Sequence, residues 1–146
     1  MKRIAGFVAL LVAVIACPVA RGDAAADEWK KLAGTWKVEK ATFNGDDSTA
    51  LFNGTVLTLE DGKFKVAFAG MNDVGTLTLD PDKKPKQMTI VGTDGPSKGK
   101  TMPAIYEIDG DMLKVCYALD GKEAPKEFKS TAETKTLLVA YKRDKK

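Results

Sequence analysis

From Thr35 onward the chain alternates between apolar and polar positions. Trp36 and Val38 fall on one parity and Lys37 and Glu39 on the other, the period of two that marks a strand with one buried face. The pattern returns between Lys63 and Ala69, where Phe64, Val66 and Phe68 interleave with Lys63, Lys65 and Ala67. Further strands are predicted over Thr55 to Glu60, Val74 to Leu79, Gln87 to Val91, Met102 to Ile108, Met112 to Ala118 and Lys135 to Arg143. Asp61-Gly62 predicts a two-residue hairpin of type I′, because that turn needs positive φ at both central positions. Asp109-Gly110-Asp111 predicts a second tight hairpin. Glu127-Phe128 predicts a brief extra pairing, Pro103 an edge position or the start of a strand, and Gly45 to Asn53 and Gly92 to Lys100 long loops. Only Ala24 to Leu32, with Trp29 and Leu32 three apart, carries a helical period, enough for one or two turns leading into Gly34.

Eight main strands with short connections and no βαβ spacing predict an all-β fold, antiparallel throughout. An up-and-down barrel closes such strands and removes exposed edges. A sandwich needs a crossover, for which the two long loops have the length.

Ahead of the strands the pattern is different. Lys2 and Arg3 precede an uncharged apolar run from Ile4 to Ala16, then Pro18 and small residues. This is the layout of a secretory signal, too short for a stable membrane span. It divides the chain into a signal peptide over 1–22, a short helical lead-in over 23–33 and a barrel domain over 34–146. Ala20 and Gly22 suit cleavage after Gly22, and Ala24 and Ala26 offer a second site. A rival reading makes Val14-Ile15-Ala16-Cys17 a lipobox, with the signal ending at residue 16 and Cys17 acylated as a lipid anchor. Both readings export the protein, to the periplasm, the cell envelope or the extracellular space.

Removal of the signal changes the charge. Lys2, Arg3 and Arg21 account for the whole formal +3, so a chain beginning at Asp23 carries 20 basic and 20 acidic residues. The basic isoelectric point is then no argument for nucleic acid or an anionic membrane as partner. Cys116 is the cysteine certain to remain, so no internal disulfide is expected and the domain rests on its hydrophobic core. About 120 residues are enough, since a domain of that size buries roughly two-thirds of its unfolded surface.

Gly34-Thr35-Trp36 stands at the start of the first strand, and in this it resembles the lipocalins. The resemblance implies that Gly34 lets the chain enter the barrel floor, that Trp36 packs across it, and that Arg143 on the last strand covers the ring. A closer resemblance spans most of the mature chain. Leu32-Ala33-Gly34-Thr35-Trp36-Lys37-Val38, Asp94 to Thr101, Ile105-Tyr106-Glu107-Ile108-Asp109-Gly110-Asp111, Leu113-Lys114-Val115-Cys116 and Pro125-Lys126-Glu127-Phe128 follow in that order. Together they resemble a lipocalin-like domain family abundant in planctomycete bacteria and often exported. That resemblance implies a fold and a compartment and assigns no residue an activity.

The chain contains no histidine, which excludes Ser-His-Asp chemistry and imidazole zinc sites. Gly95-Pro96-Ser97-Lys98-Gly99-Lys100-Thr101 superficially looks like a phosphate-binding loop, but it lacks the first Walker glycine, and strands flank it in place of a helix N-terminus. Asp80-Pro81-Asp82 and Asp109-Gly110-Asp111 read as turns rather than calcium loops. Cys116 lacks a base to lower its pKa and reads as a small buried hydrophobe. Glu107 and Glu127 are available to a carboxylate pair, but nothing selects them. No catalytic residue, metal site or cofactor is therefore expected. What remains is the inward face, with Phe64, Phe68, Tyr106, Tyr117 and Tyr141 as its candidate ligand-binding lining. The expected role is a non-catalytic monomer that holds a small hydrophobic molecule or a cell-envelope component. The alternative is a packed interaction or scaffold module that recognises partners through its surface loops.

Overall fold

The computed structural model describes residues 17–144. Of the signal peptide expected over 1–22, residues 1–16 lie outside the described residues, as do the side chains of residues 17–23 and with them the lipid anchor expected at Cys17 in the alternative reading. Helix α1 (Cys17–Leu32) is followed by β1 (Gly34–Phe43), the two-residue β2 (Asp46–Asp47), one 3-10 turn (Thr49–Phe52), β3 (Val56–Glu60), β4 (Lys63–Phe68) and β5 (Met71–Asp80). Then come β6 (Lys86–Asp94), β7 (Thr101–Asp109), β8 (Met112–Ala118) and β9 (Thr136–Arg143). Each long strand pairs antiparallel with the next, and β1 pairs with both β3 and β9, so eight strands close into a barrel. No helix among the described residues is long and apolar enough to cross a membrane.

Several elements differ from the sequence expectations. Helix α1 runs well beyond the one or two turns expected after Ala24. Pro18 lies in its first turn, where a missing N–H costs nothing, and Ala24-Ala25-Ala26 favours helix. Asp46 and Asp47, expected in a loop, instead fold back onto Phe43 and Thr42 as β2. Glu127-Phe128 forms no strand; Phe128 lies under the Lys114 ammonium, 5.7 Å from its ring centre. Pro103 has no edge to occupy, but it does stand near the start of its strand, as the third residue of β7. It sits where β7 pairs with β6, and the ladder to β8 begins one residue later at Ala104.

The first strand also contains a device that its alternation does not disclose. A bulge between Val38 and Lys40 shifts the register against β9. One extra residue exchanges the inward and outward parities. Trp36 and Val38 point inward before it, and the buried Ala41 takes over after it. A second irregularity falls between Val74 and Gly75. A Cβ on Gly75 would lie 2.0 Å from the Val91 carbonyl oxygen and 2.7 Å from Phe64 Cε1. The absent side chain lets β5 approach β6 and lets the Phe64 ring cross the wall.

The core is the barrel interior, centred on Trp36, Leu57, Leu59, Leu77, Leu113 and Val115. A second layer lies outside β7 and β8, where Ile105 and Cys116 are fully buried although they alternate out of the barrel. The Leu119–Lys135 connection reaches this side. Cys116 Sγ donates to the Lys129 carbonyl at 3.5 Å, and Ser130 Oγ and the Thr136 backbone carbonyl lie 2.7 Å apart in a hydrogen bond.

Candidate functional site

The two ends of the barrel are built differently. One end is closed by α1 and the start of β1. Trp36 is fully buried, and its indole N–H donates to the Leu32 carbonyl at 2.8 Å, fixing the helix end over the floor. Arg143 faces Trp36 across the β1–β9 ladder and lies 4.3 Å from the ring centre. Its guanidinium also donates to the Ala33 carbonyl at 3.0 Å and to the Lys31 carbonyl. Gly34 completes the corner: its φ is +131°, and a Cβ there would sit 3.0 Å from Arg143 Nη1. The three residues singled out by resemblance, Gly34, Trp36 and Arg143, therefore meet at one place.

The same end holds a polar lock. Glu28 on α1 is 4% exposed and accepts hydrogen bonds from Lys86 Nζ and Tyr106 Oη, both at 2.9 Å. Lys31 stands 3.4 Å away. Burial pushes the Glu28 carboxyl up, but the hydrogen bonds from Lys86 and Tyr106, the Lys86 charge and Lys31 together outweigh it and hold the group below the usual glutamate range. Burial first, then the Glu28 carboxylate, drives the Tyr106 phenol far up. Tyr106 thus belongs to the lock and not to the cavity wall proposed for it.

Above the floor lies a cavity of about 240 Å³. Four of the five residues nominated as lining, Phe64, Phe68, Tyr117 and Tyr141, do border it. Its wall is otherwise formed largely by Leu, Val, Ile and Met side chains, with no lysine or arginine. Tyr117 and Tyr141 share one hydrogen bond, their hydroxyl oxygens 2.7 Å apart. Both phenols are driven up in pKa chiefly by burial, Tyr141 to about 12 and Tyr117 well above the ordinary value. Both therefore stay protonated at neutral pH.

Two polar groups at the wall were missed by sequence reasoning. Thr55 is 4% exposed, and its hydroxyl has no hydrogen-bond partner. Its signal was present, since Thr55 shares parity with the inward Leu57 and Leu59. Asp73 at the mouth accepts from Ser97 N at 3.0 Å and Ser97 Oγ at 2.6 Å, tying the Gly95–Lys100 loop to β5. The loop that resembles a phosphate site is therefore held by a carboxylate, which repels phosphate.

The mouth itself is lined by aromatic and apolar groups. Phe52 and Phe68 pack with ring centres 5.6 Å apart. Leu51 and Met71 nearby are 68% and 52% exposed. Elsewhere the candidate chemistry does not assemble. Glu107 is exposed and 3.9 Å from Lys114 Nζ, Glu127 is exposed, and burial pushes the Cys116 thiol up. Among the described residues no group of three or more acidic or thiol side chains is placed to hold a metal ion. Compared with family profiles, with curated proteins and with solved structures, the chain matches none.

Proposed function

We propose that this protein is an exported, monomeric, lipocalin-like carrier that holds a small hydrophobic molecule inside its barrel and performs no chemistry on it. The observation that carries the reading is the cavity of about 240 Å³ with its almost wholly apolar wall. An engineered cavity of about 150 Å³ already takes up benzene, so this one has room for roughly ten non-hydrogen atoms. A carrier needs a closed floor and an approachable mouth, and the two barrel ends match that division. The protonated phenols, the protonated Cys116 thiol and the absence of histidine support a binding role over catalysis. The signal-like leader supports export, and the Gly34/Trp36/Arg143 corner supports the lipocalin-like assignment.

Native mass spectrometry of the chain from Asp23, purified gently from its own host, tests the reading. The expected spectrum shows a monomer with extra mass that leaves on denaturation. A clean apo mass, with no uptake from a lipid extract of the host, sinks the carrier reading. The search then moves to the loops over residues 45–53 and 92–100 as a protein-binding surface.

A further inference from the structure

The cavity wall also discriminates among apolar molecules, an inference that rests on the carrier reading. Hydrogen bonds can be counted there. The Tyr117–Tyr141 pair contains two O–H donors and uses one of them, because one phenol must act as acceptor. The second proton has no acceptor among the described residues. Thr55 borders the same cavity, and its hydroxyl has no partner among the described residues, but the oxygen itself is closed off from the open space. Buried polar groups in folded proteins are nearly always satisfied, and an exception calls for a reason.

Backbone pairing relates the two features. Val38 on β1 pairs with Tyr141 on β9, and its backbone N–H donates to the Thr55 carbonyl on the other side. Thr55, Val38 and Tyr141 therefore form one row across three neighbouring strands. Two strand spacings separate the ends of that row, about 10 Å between Cα atoms. Tyr117 lies four residues from Leu113, the β8 partner of Tyr141, and its ring reaches back along the wall to meet the Tyr141 hydroxyl.

Charge narrows the choice. Among the described residues the only carboxylate at the wall is that of Asp73, and no lysine or arginine borders the cavity. An anionic head group would enter without a counter-charge, and an uncompensated buried charge is strongly disfavoured. Asp73 already receives two hydrogen bonds from Ser97, which leaves it a loop anchor more than a partner for a cation. We infer that the ligand is an uncharged, mostly apolar molecule bearing a hydrogen-bonding oxygen, of the ketone, ester or alcohol class, with that oxygen received by the Tyr117–Tyr141 pair.

Four probes of matched length separate the possibilities: methyl heptyl ketone, nonane, nonanoate and nonylamine, each titrated at neutral pH. Occupancy is read from the methyl resonances of Leu57, Leu113 and Val139 on the wall. The ketone is expected to bind about three- to tenfold more tightly than nonane, the worth of one net hydrogen bond. Nonanoate and nonylamine are expected to bind at least tenfold more weakly than the ketone. The Tyr117→Phe/Tyr141→Phe double variant, which removes both donors and nearly keeps the volume, should shrink the ratio of ketone to nonane affinity, whereas Thr55→Val should leave it unchanged, with the folding of both checked by the same spectra. Equal binding of ketone and nonane overturns the inference and leaves the carrier reading intact. Tighter binding of either ion also overturns it. If no probe moves the wall resonances, the carrier reading fails along with it.

Discussion

The floor and the mouth of this barrel are made from the same strands and solve opposite problems. At the floor, polar atoms are satisfied several times over. Glu28 has two hydrogen-bond donors and an ion-pair neighbour, Trp36 gives its N–H to a helix carbonyl, and Arg143 caps two carbonyls while stacking on the ring. At the mouth, Thr55 lacks a partner, apolar side chains face solvent, and Ala69 sits at φ +51° in a turn. An L-residue with a Cβ pays about 1–2 kcal/mol for that left-handed conformation. The difference teaches where stability is concentrated and where it has been given up. A fully satisfied end holds the fold, and an incompletely satisfied end leaves interactions for something else to complete.

Substitutions at the floor should break this contrast most sharply. Trp36→Ala removes a fully buried aromatic, its hydrogen bond and the ring beneath Arg143. It is expected to cost about 3–5 kcal/mol in chemical denaturation, and an unchanged midpoint would falsify its placement as the floor. Glu28→Gln sharpens the comparison through pH. Because the folded carboxyl is held below its unfolded value, Glu28 contributes stability above an unfolded pKa of about 4.3, and that contribution is lost as pH falls through the lower folded value. The substitution should cost about 1–2 kcal/mol at neutral pH, discounted because Lys86 is partly exposed. The gap to the parent protein should close below about pH 4. A gap independent of pH would mean that the carboxylate charge contributes nothing there.

The smallest effect is expected at the mouth and has the opposite sign. Ala69→Gly relieves the positive φ and should raise the denaturation midpoint, worth up to about 1 kcal/mol after the added freedom of the unfolded chain is deducted. Destabilisation by this change would show that the mouth turn is not strained. It would also weaken the contrast between the two ends.

The contrast also marks what the sequence could disclose. Phe64, Val66 and Phe68 announced β4 because their alternation is unbroken, and Asp61-Gly62 announced its turn. Both turn residues do have positive φ, at 26° and 84°. Ala69-Gly70 makes the next hairpin with positive φ at both positions, yet alanine is no turn former, so β4 was expected to reach Ala69 and the next strand to begin only at Val74, whereas β5 in fact starts at Met71. The bulge after Val38 was invisible because an inserted residue leaves the local composition unchanged. Thr55 was legible by its parity with Leu57 and Leu59 but was not placed on the inward face. Glu28 and Tyr106 stand 78 positions apart, and no local pattern joins residues at that distance. Their pairing depends on the closed barrel and on a helix longer than its period suggested. Tyr106 was accordingly nominated as ligand-binding lining, where it instead binds the helix.

The seam between β1 and β9 has a kinetic consequence. It joins the first long strand to the last, and the Arg143 bond to Ala33 closes a loop of 110 positions. The ring therefore cannot be completed until the last strand has emerged from the synthesis machinery. Pairings of such long range fold slowly, on the scale of milliseconds to seconds. Until closure both seam strands present bare edges, the surfaces through which incomplete chains associate with one another. For this barrel, the arrival of its final strand is the moment at which it stops being an aggregation hazard.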